Sequence, residues 1–228
     1  MTTKKDTAIN NIMADFEEFA NLVLHQLDLL EQIIASGEIN ANAKLNDEII
    51  ANEKKIDQFE VKLSDKIINT IVLYHPVASE IRKIIACYQI IISLERIGDQ
   101  ITNILKLLSK IKIPEIYSEM ADVVSNMYMQ SSNMVNRALV SFTTDDKEFA
   151  IWTIKNDAVV DEMNHKMIKK AIKKTNIPEE NKQLLNSFIS MNAMVSNIER
   201  IGDHATNIAE AAIYSIEGRN VRHVKKID

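Results

Sequence analysis

The sequence predicts an all-α protein made of two tandem three-helix bundles related by internal duplication. Three observations predict this. Only four Gly and three Pro occur among 228 residues, well below the usual share of roughly 7% and 5%, so the chain lacks the turn residues of a β-sandwich or barrel. Apolar residues recur at three–four spacing over long stretches, the period of a buried helix face. ERIGDQITNI at 95–104 returns as ERIGDHATNI at 199–208, identical at eight of ten positions with an offset of 104.

The punctuation divides the chain into six helices, expected at 5–36, 42–74, 77–112, 115–142, 145–175 and 178–217. The first carries the stripe Phe16, Phe19, Val23, Leu27, Leu30 and Ile34, and Gly37 reads as its C-terminal cap. The second carries Ile49, Ile56, Leu63, Ile67 and Tyr74. Pro76, Pro114 and Pro178 precede the third, fourth and sixth, where a missing N–H has no intrahelical partner to lose. Thr143, Thr144 and Asp145 offer N-cap chemistry for the fifth. The resulting units are residues 1–112 and 113–228, each near the usual domain size of about 100–150 residues.

Composition removes several functions. The phosphate loops GxGxxG and GxxxxGK[ST] are missing. The longest apolar stretch, 84–94, is about half the ~20 residues that span a bilayer and is flanked by charge. The N-terminal residues have no apolar core after their lysines, so no signal peptide is expected. Net charge is −5 without a long basic run, so nucleic acid is not an expected partner. The lone Cys87 lies in the apolar stretch and reads as an inert core thiol in a reducing compartment. The ten Met residues read as core filler.

The candidate chemistry lies in acids that interrupt the stripes. In the third helix Glu95 replaces an apolar residue, and Asp99 and Asn103 follow one and two turns on, as do Glu199, Asp203 and Asn207 in the sixth. Residues i and i+4 share a helix face. The second helix carries Glu53, Asp57 and Glu60, and at the same offset, with no gap, the fifth carries Asp157 and Asp161. Each unit thus presents an E/DxxxD pair on two antiparallel helices. If the stripes face one another, four carboxylates converge, and a divalent or iron-type cation would relieve their repulsion. Arg96 and Arg200, one residue from the acids, are expected on another face. Gly98 and Gly202 sit inside helices beside the second acid of each row, and close helix approach is the expected reason. An alternative is a carboxylate-bridged oxidase or metal-storage protein, which requires two ExxH motifs. The chain has one, Glu162–His165.

At ERIGDQITNI and ERIGDHATNIAEAAIYSIEGRNVRH the sequence resembles the PhoU family, and the resemblance extends over essentially the whole chain. It implies a cytoplasmic, non-enzymatic, PhoU-like all-α regulator of phosphate homeostasis. Such a regulator restrains high-affinity phosphate uptake and the phosphate-starvation response. The partners it implies are a PstB-like ATPase of the phosphate ABC transporter and a PhoR-like sensor histidine kinase. Contact with the membrane is then only peripheral, through the transporter, and a homodimer is expected. It also implies metal binding through the E/DxxxD positions Glu53, Asp57, Glu95, Asp99, Asp157, Asp161, Glu199 and Asp203. One departure stands out. The second motif runs on to Glu210 where the first has Lys106, so the first site is expected to hold one acid fewer and a nearby cation.

Overall fold

A computed structural model describes residues 3–36, 43–111, 113–174 and 182–222. Six helices follow in order: α1 Lys4–Ser36, α2 Ala43–Tyr74, α3 Ser79–Leu108, α4 Pro114–Thr144, α5 Lys147–Lys174 and α6 Lys182–Glu217. Every regular element among the described residues is an α-helix. Helices α1, α2 and α3 pack mutually, as do α4, α5 and α6. The two bundles meet through α3 against α6 and α1 against α4, which leaves α2 and α5 outermost.

The α1 stripe is fully realised, with Phe16, Phe19, Val23, Leu27, Leu30 and Ile34 all buried. In α2 the apolar members Ile49, Ile56, Leu63 and Ile67 are buried, while Tyr74 is exposed at the helix end. Met120, Met127, Met134, Met191 and Met194 fill the second bundle. Cys87 is buried and unpaired, and burial pushes its thiol well above the ordinary range, so it is unreactive.

Buried residues of both bundles form one continuous cluster. At the α1–α4 contact the Phe16 and Phe142 rings meet edge to face, 5.1 Å apart. The Tyr117 hydroxyl donates to the Ile34 carbonyl and the Tyr128 hydroxyl to the Leu27 carbonyl, each at 2.8 Å. Ile34 lies in the last turn of α1, whose carbonyls have no intrahelical donor, so Tyr117 caps α1 from the other bundle.

Helix ends differ from the sequence expectation in several places. Helix α3 runs Ser79–Leu108 rather than 77–112, so Pro76 stands before its first turn and not in it. Thr143 and Thr144 do not cap α5. They lie in α4, where both hydroxyls donate to the Val140 carbonyl. Asp145 ends α4 in the left-handed region at φ 55°, and Asp146 accepts the Glu148 N–H at the start of α5. The two α1-to-α2-type connections also differ in length. Ser36 and Thr144 close α1 and α4, an offset of 144 − 36 = 108, whereas α2–α3 and α5–α6 correspond at 104. Burial follows the larger offset: Phe16, Phe19, Leu27 and Ile34 correspond to Val124, Met127, Val135 and Phe142, all buried. The first connection is therefore four residues longer. Gly37 and Pro178 lie outside the described residues. Pro114 begins α4, as expected, and Gly218, at φ 70°, follows the end of α6.

Candidate functional site

Helices α2 and α3 bring the first set of acids to one groove. Glu53 lies half-buried over α3, where the absent side chain of Gly98 admits it. A Cβ at Gly98 would stand 2.9 Å from Glu53 Oε2 and 3.2 Å from Ile56 Cγ2. Burial, reinforced by Asp57, Asp99 and Glu95, pushes the Glu53 carboxyl up to about 7, against the hydrogen bond from Gln26 Nε2 to Glu53 Oε2 at 3.1 Å. Burial likewise raises Glu95, with Asp99, Asp57 and Glu60 adding to the shift and Arg96 opposing it. All four predicted acids of the first unit therefore act on one another, and Glu60 joins them.

Helices α5 and α6 repeat the arrangement. Burial raises Asp157, with Asp203 and Asp161 adding to it. Burial also raises Asp203, with Glu199 and Asp161 adding to it. Asn164 Nδ2 donates to Glu199 Oε2. Asn164 occupies the place of Glu60 at the 104 offset, so an amide stands where the first cluster has an acid. Gln26 corresponds to Met134 at the 108 offset. Each cluster thus has one buried amide donating to a glutamate, from α1 in the first and from α5 in the second.

Several sequence expectations change here. Among the described residues the first cluster is the richer in acid, because Glu60 acts on Glu95 while Glu210 lies 3.7 Å from Arg222. Glu210 is seven residues past Asp203, or about 10.5 Å along the helix, which carries it out of the cluster. The expected cation, Lys106, lines the same groove as Glu53, together with Lys54. Arg96 lies toward α6, on another face as expected, yet stays paired with its acids. Its Nε lies 3.4 Å from Glu95 Oε2 and its Nη1 3.3 Å from Asp99 Oδ2. Gly202 is not required by close approach, for a Cβ there would meet only ordinary contacts, the nearest 3.6 Å away at Val160. Asn103 and Asn207 are exposed. The His165 side chain lies outside those described.

The donor set suits a hard or borderline cation: paired carboxylates, of which Glu53, Glu95, Asp157 and Asp203 are raised by burial and by their neighbours, beside buried amides. Gln26 Oε1 and Asn164 Oδ1 are buried without a hydrogen-bond partner, an oxygen acceptor beside each cluster. Among the described residues, no three His, Cys, Asp or Glu side chains are gathered as they stand into a ligand set. A cation would have to draw the acids away from Arg96 and from the two amides.

The raised carboxyls fix a pH dependence. In the folded chain Glu53 titrates near 7, above its ordinary 4.5, so between these values the folded state holds more protons than the unfolded state. Stability therefore falls as pH rises from about 4.5 through 7. For a half-exposed group the loss is about 1–2 kcal/mol. Glu53→Gln keeps an acceptor for Gln26 and removes the charge. It is expected to flatten part of this fall and to raise stability at pH 8 in chelator-treated protein. Identical urea midpoints for variant and wild type at pH 5 and at pH 8 would contradict this.

Comparison with known proteins agrees with the fold of two three-helix bundles. The PhoU domain family model matches residues 16–108 and 118–212, one match per bundle. A phosphate-specific transport system accessory protein PhoU homolog from Aquifex aeolicus is 31% identical over 221 residues, covering 93% of this chain and 96% of that protein. One from a Burkholderia species is 26% identical over 226 residues, covering 98% and 93%. The crystal structure of PhoU from Pseudomonas aeruginosa superposes with a TM-score of 0.80 at 24% identity, covering 94% of this chain and 99% of that one. That of the phosphate transport system regulatory protein PhoU from Streptococcus pneumoniae gives 0.82 at 21%, covering 96% and 99%. With both bundles matched and the signature helices α3 and α6 carrying paired acid rows, the chain belongs to the PhoU family.

Proposed function

We propose that this protein is a non-enzymatic accessory regulator of phosphate transport. It acts in the cytoplasm and restrains high-affinity uptake and the starvation response. The observation that carries the reading is the pair of repeat-equivalent carboxylate clusters, Glu53, Asp57, Glu95 and Asp99 in one and Asp157, Asp161, Glu199 and Asp203 in the other, in a chain of this family. Each repeat, 1–112 and 113–228, is read as one copy of the same functional unit. Among the described residues no helix is long and apolar enough to cross a membrane, which accords with contact through a partner. The partners proposed are a PstB-like ATPase of the phosphate ABC transporter and a PhoR-like sensor kinase, engaged by a homodimer.

In this reading the eight acids hold divalent or iron-type cations, which supply positive charge that ties α2 to α3 and α5 to α6. The chain's own residues do the rest. Gln26 and Asn164 orient Glu53 and Glu199, and Gly98 lets Glu53 reach across α3. Arg96 holds Glu95 and Asp99, and a cation would have to win them from it. The test is a pull-down of the intact chain against the transporter ATPase and the kinase, with and without phosphate. Retention that changes with phosphate is expected. Failure to retain either partner under both conditions would overturn the adaptor role.

A further inference from the structure

A second site lies beside the first acid cluster, at the joint of the two bundles, and shares Arg96 with it. Helices α3 and α6 leave a cleft of about 600 Å³ between them, lined by Gln89, Ser93 and Arg96 on one side and His204 and Asn207 on the other. This volume is within the roughly 300–1,000 Å³ range of small-molecule sites. A third element completes it. The chain reverses at Gly218, buries Val221, and brings Arg222 over the cleft. Arg222 Nη2 donates to Gln89 Oε1 on α3 at 3.0 Å, so the end of one repeat is pinned across the other.

We propose that this cleft binds a phosphate-type oxyanion, either free or carried on a small organic molecule. Two guanidiniums and an imidazole enter it from three separate elements, with amide and hydroxyl groups between them. Guanidinium forks match the oxygens of such an anion, and donors arriving from several directions suit a tetrahedral group better than a planar one. Both guanidiniums remain reachable, with side chains 55% and 43% exposed for Arg96 and Arg222. The opposing charges are Glu210, 3.7 Å from Arg222 Nε, and Glu95 and Asp99, 3.4 and 3.3 Å from the Arg96 guanidinium, and the anion must compete with all three. The site joins the two signature helices, so an occupant touches both repeats at once. Arg96 also belongs to the first acid cluster, and an anion that recruits it weakens its hold on Glu95 and Asp99.

This inference rests on the cleft alone and not on the regulatory reading, because it is measured on the isolated chain. Isothermal titration of the intact protein with inorganic phosphate, with adenosine monophosphate and with adenosine is the experiment. Saturable binding of at least one phosphate compound, and none of adenosine, is expected. Arg96→Gln and Arg222→Gln should each weaken it about tenfold, the loss of one charged hydrogen-bonding group, while the distant Lys4→Gln leaves it unchanged. Tighter binding of the ester assigns an organic phosphate, and equal or tighter binding of inorganic phosphate assigns the free ion. No saturation by either compound, equal binding of adenosine, or unchanged affinity in both arginine variants that retain the wild-type melting curve would overturn the site.

Discussion

Phe16→Ala is expected to lower stability by about 3–5 kcal/mol, the usual cost of emptying a fully packed aromatic position. Phe16 is 1% exposed, and its ring meets Phe142 of the other bundle edge to face. The deletion therefore removes contacts in both bundles. For a chain of this size the midpoint should fall by about 6–20 °C. Because buried residues of both bundles form one cluster, a single cooperative transition should persist. Phe142→Ala should cost a comparable amount, and the double variant less than the sum, since the two share a contact and a cavity. Calorimetry decides: a loss under about 1 kcal/mol, or two separated transitions in the wild type, would show that the aromatic contact does not join the bundles energetically.

The second large effect concerns cations. With Mn²⁺ or Mg²⁺ at a hundred times its dissociation constant, the folded state should gain about 2.7 kcal/mol, or roughly 5–11 °C in midpoint. The gain should be larger at pH 8 than at pH 5, because the raised carboxyls must lose their protons to bind metal. Glu53→Gln with Asp99→Asn removes the contribution of the first cluster, and Glu199→Gln with Asp203→Asn that of the second. Each double variant should be more stable than the wild type in chelator at pH 8, since repulsion is relieved. Wild-type metal content in the Glu199→Gln, Asp203→Asn variant, measured by elemental analysis of protein purified without chelator, would overturn the assignment at that cluster.

Much of this was readable from residue order. Helix faces follow from apolar spacing, so the α1 stripe and, apart from Tyr74, the α2 stripe are placed correctly. The repeat offset placed the eight acids because it acts within α2–α3 and α5–α6, where no gap intervenes. Helix ends were less legible. Thr143 and Thr144 have the chemistry of N-caps, but their hydroxyls also satisfy carbonyls of the turn before them, and the left-handed conformation of Asp145 decides where α4 stops. The partners of the acids were least legible. Gln26 reaches Glu53 from another helix, and Asn164 meets Glu199 across 35 positions of sequence. No spacing rule within one helix signals such contacts. The α1–α4 offset of 108 could have pointed to Gln26 as an amide in a buried stripe without a polar counterpart, Met134, in the other repeat.

The tyrosines at the joint make the two halves non-interchangeable. Tyr117 and Tyr128 of α4 serve carbonyls of α1, and at the 108 offset α1 itself has Ile9 and Ala20 in their places. A chain assembled from two first halves would have no hydroxyl to offer the Ile34 and Leu27 carbonyls. Pairing of an isolated first half with itself would not recreate the joint either. At this joint one half is the donor and the other the acceptor, so the tandem order is part of the fold.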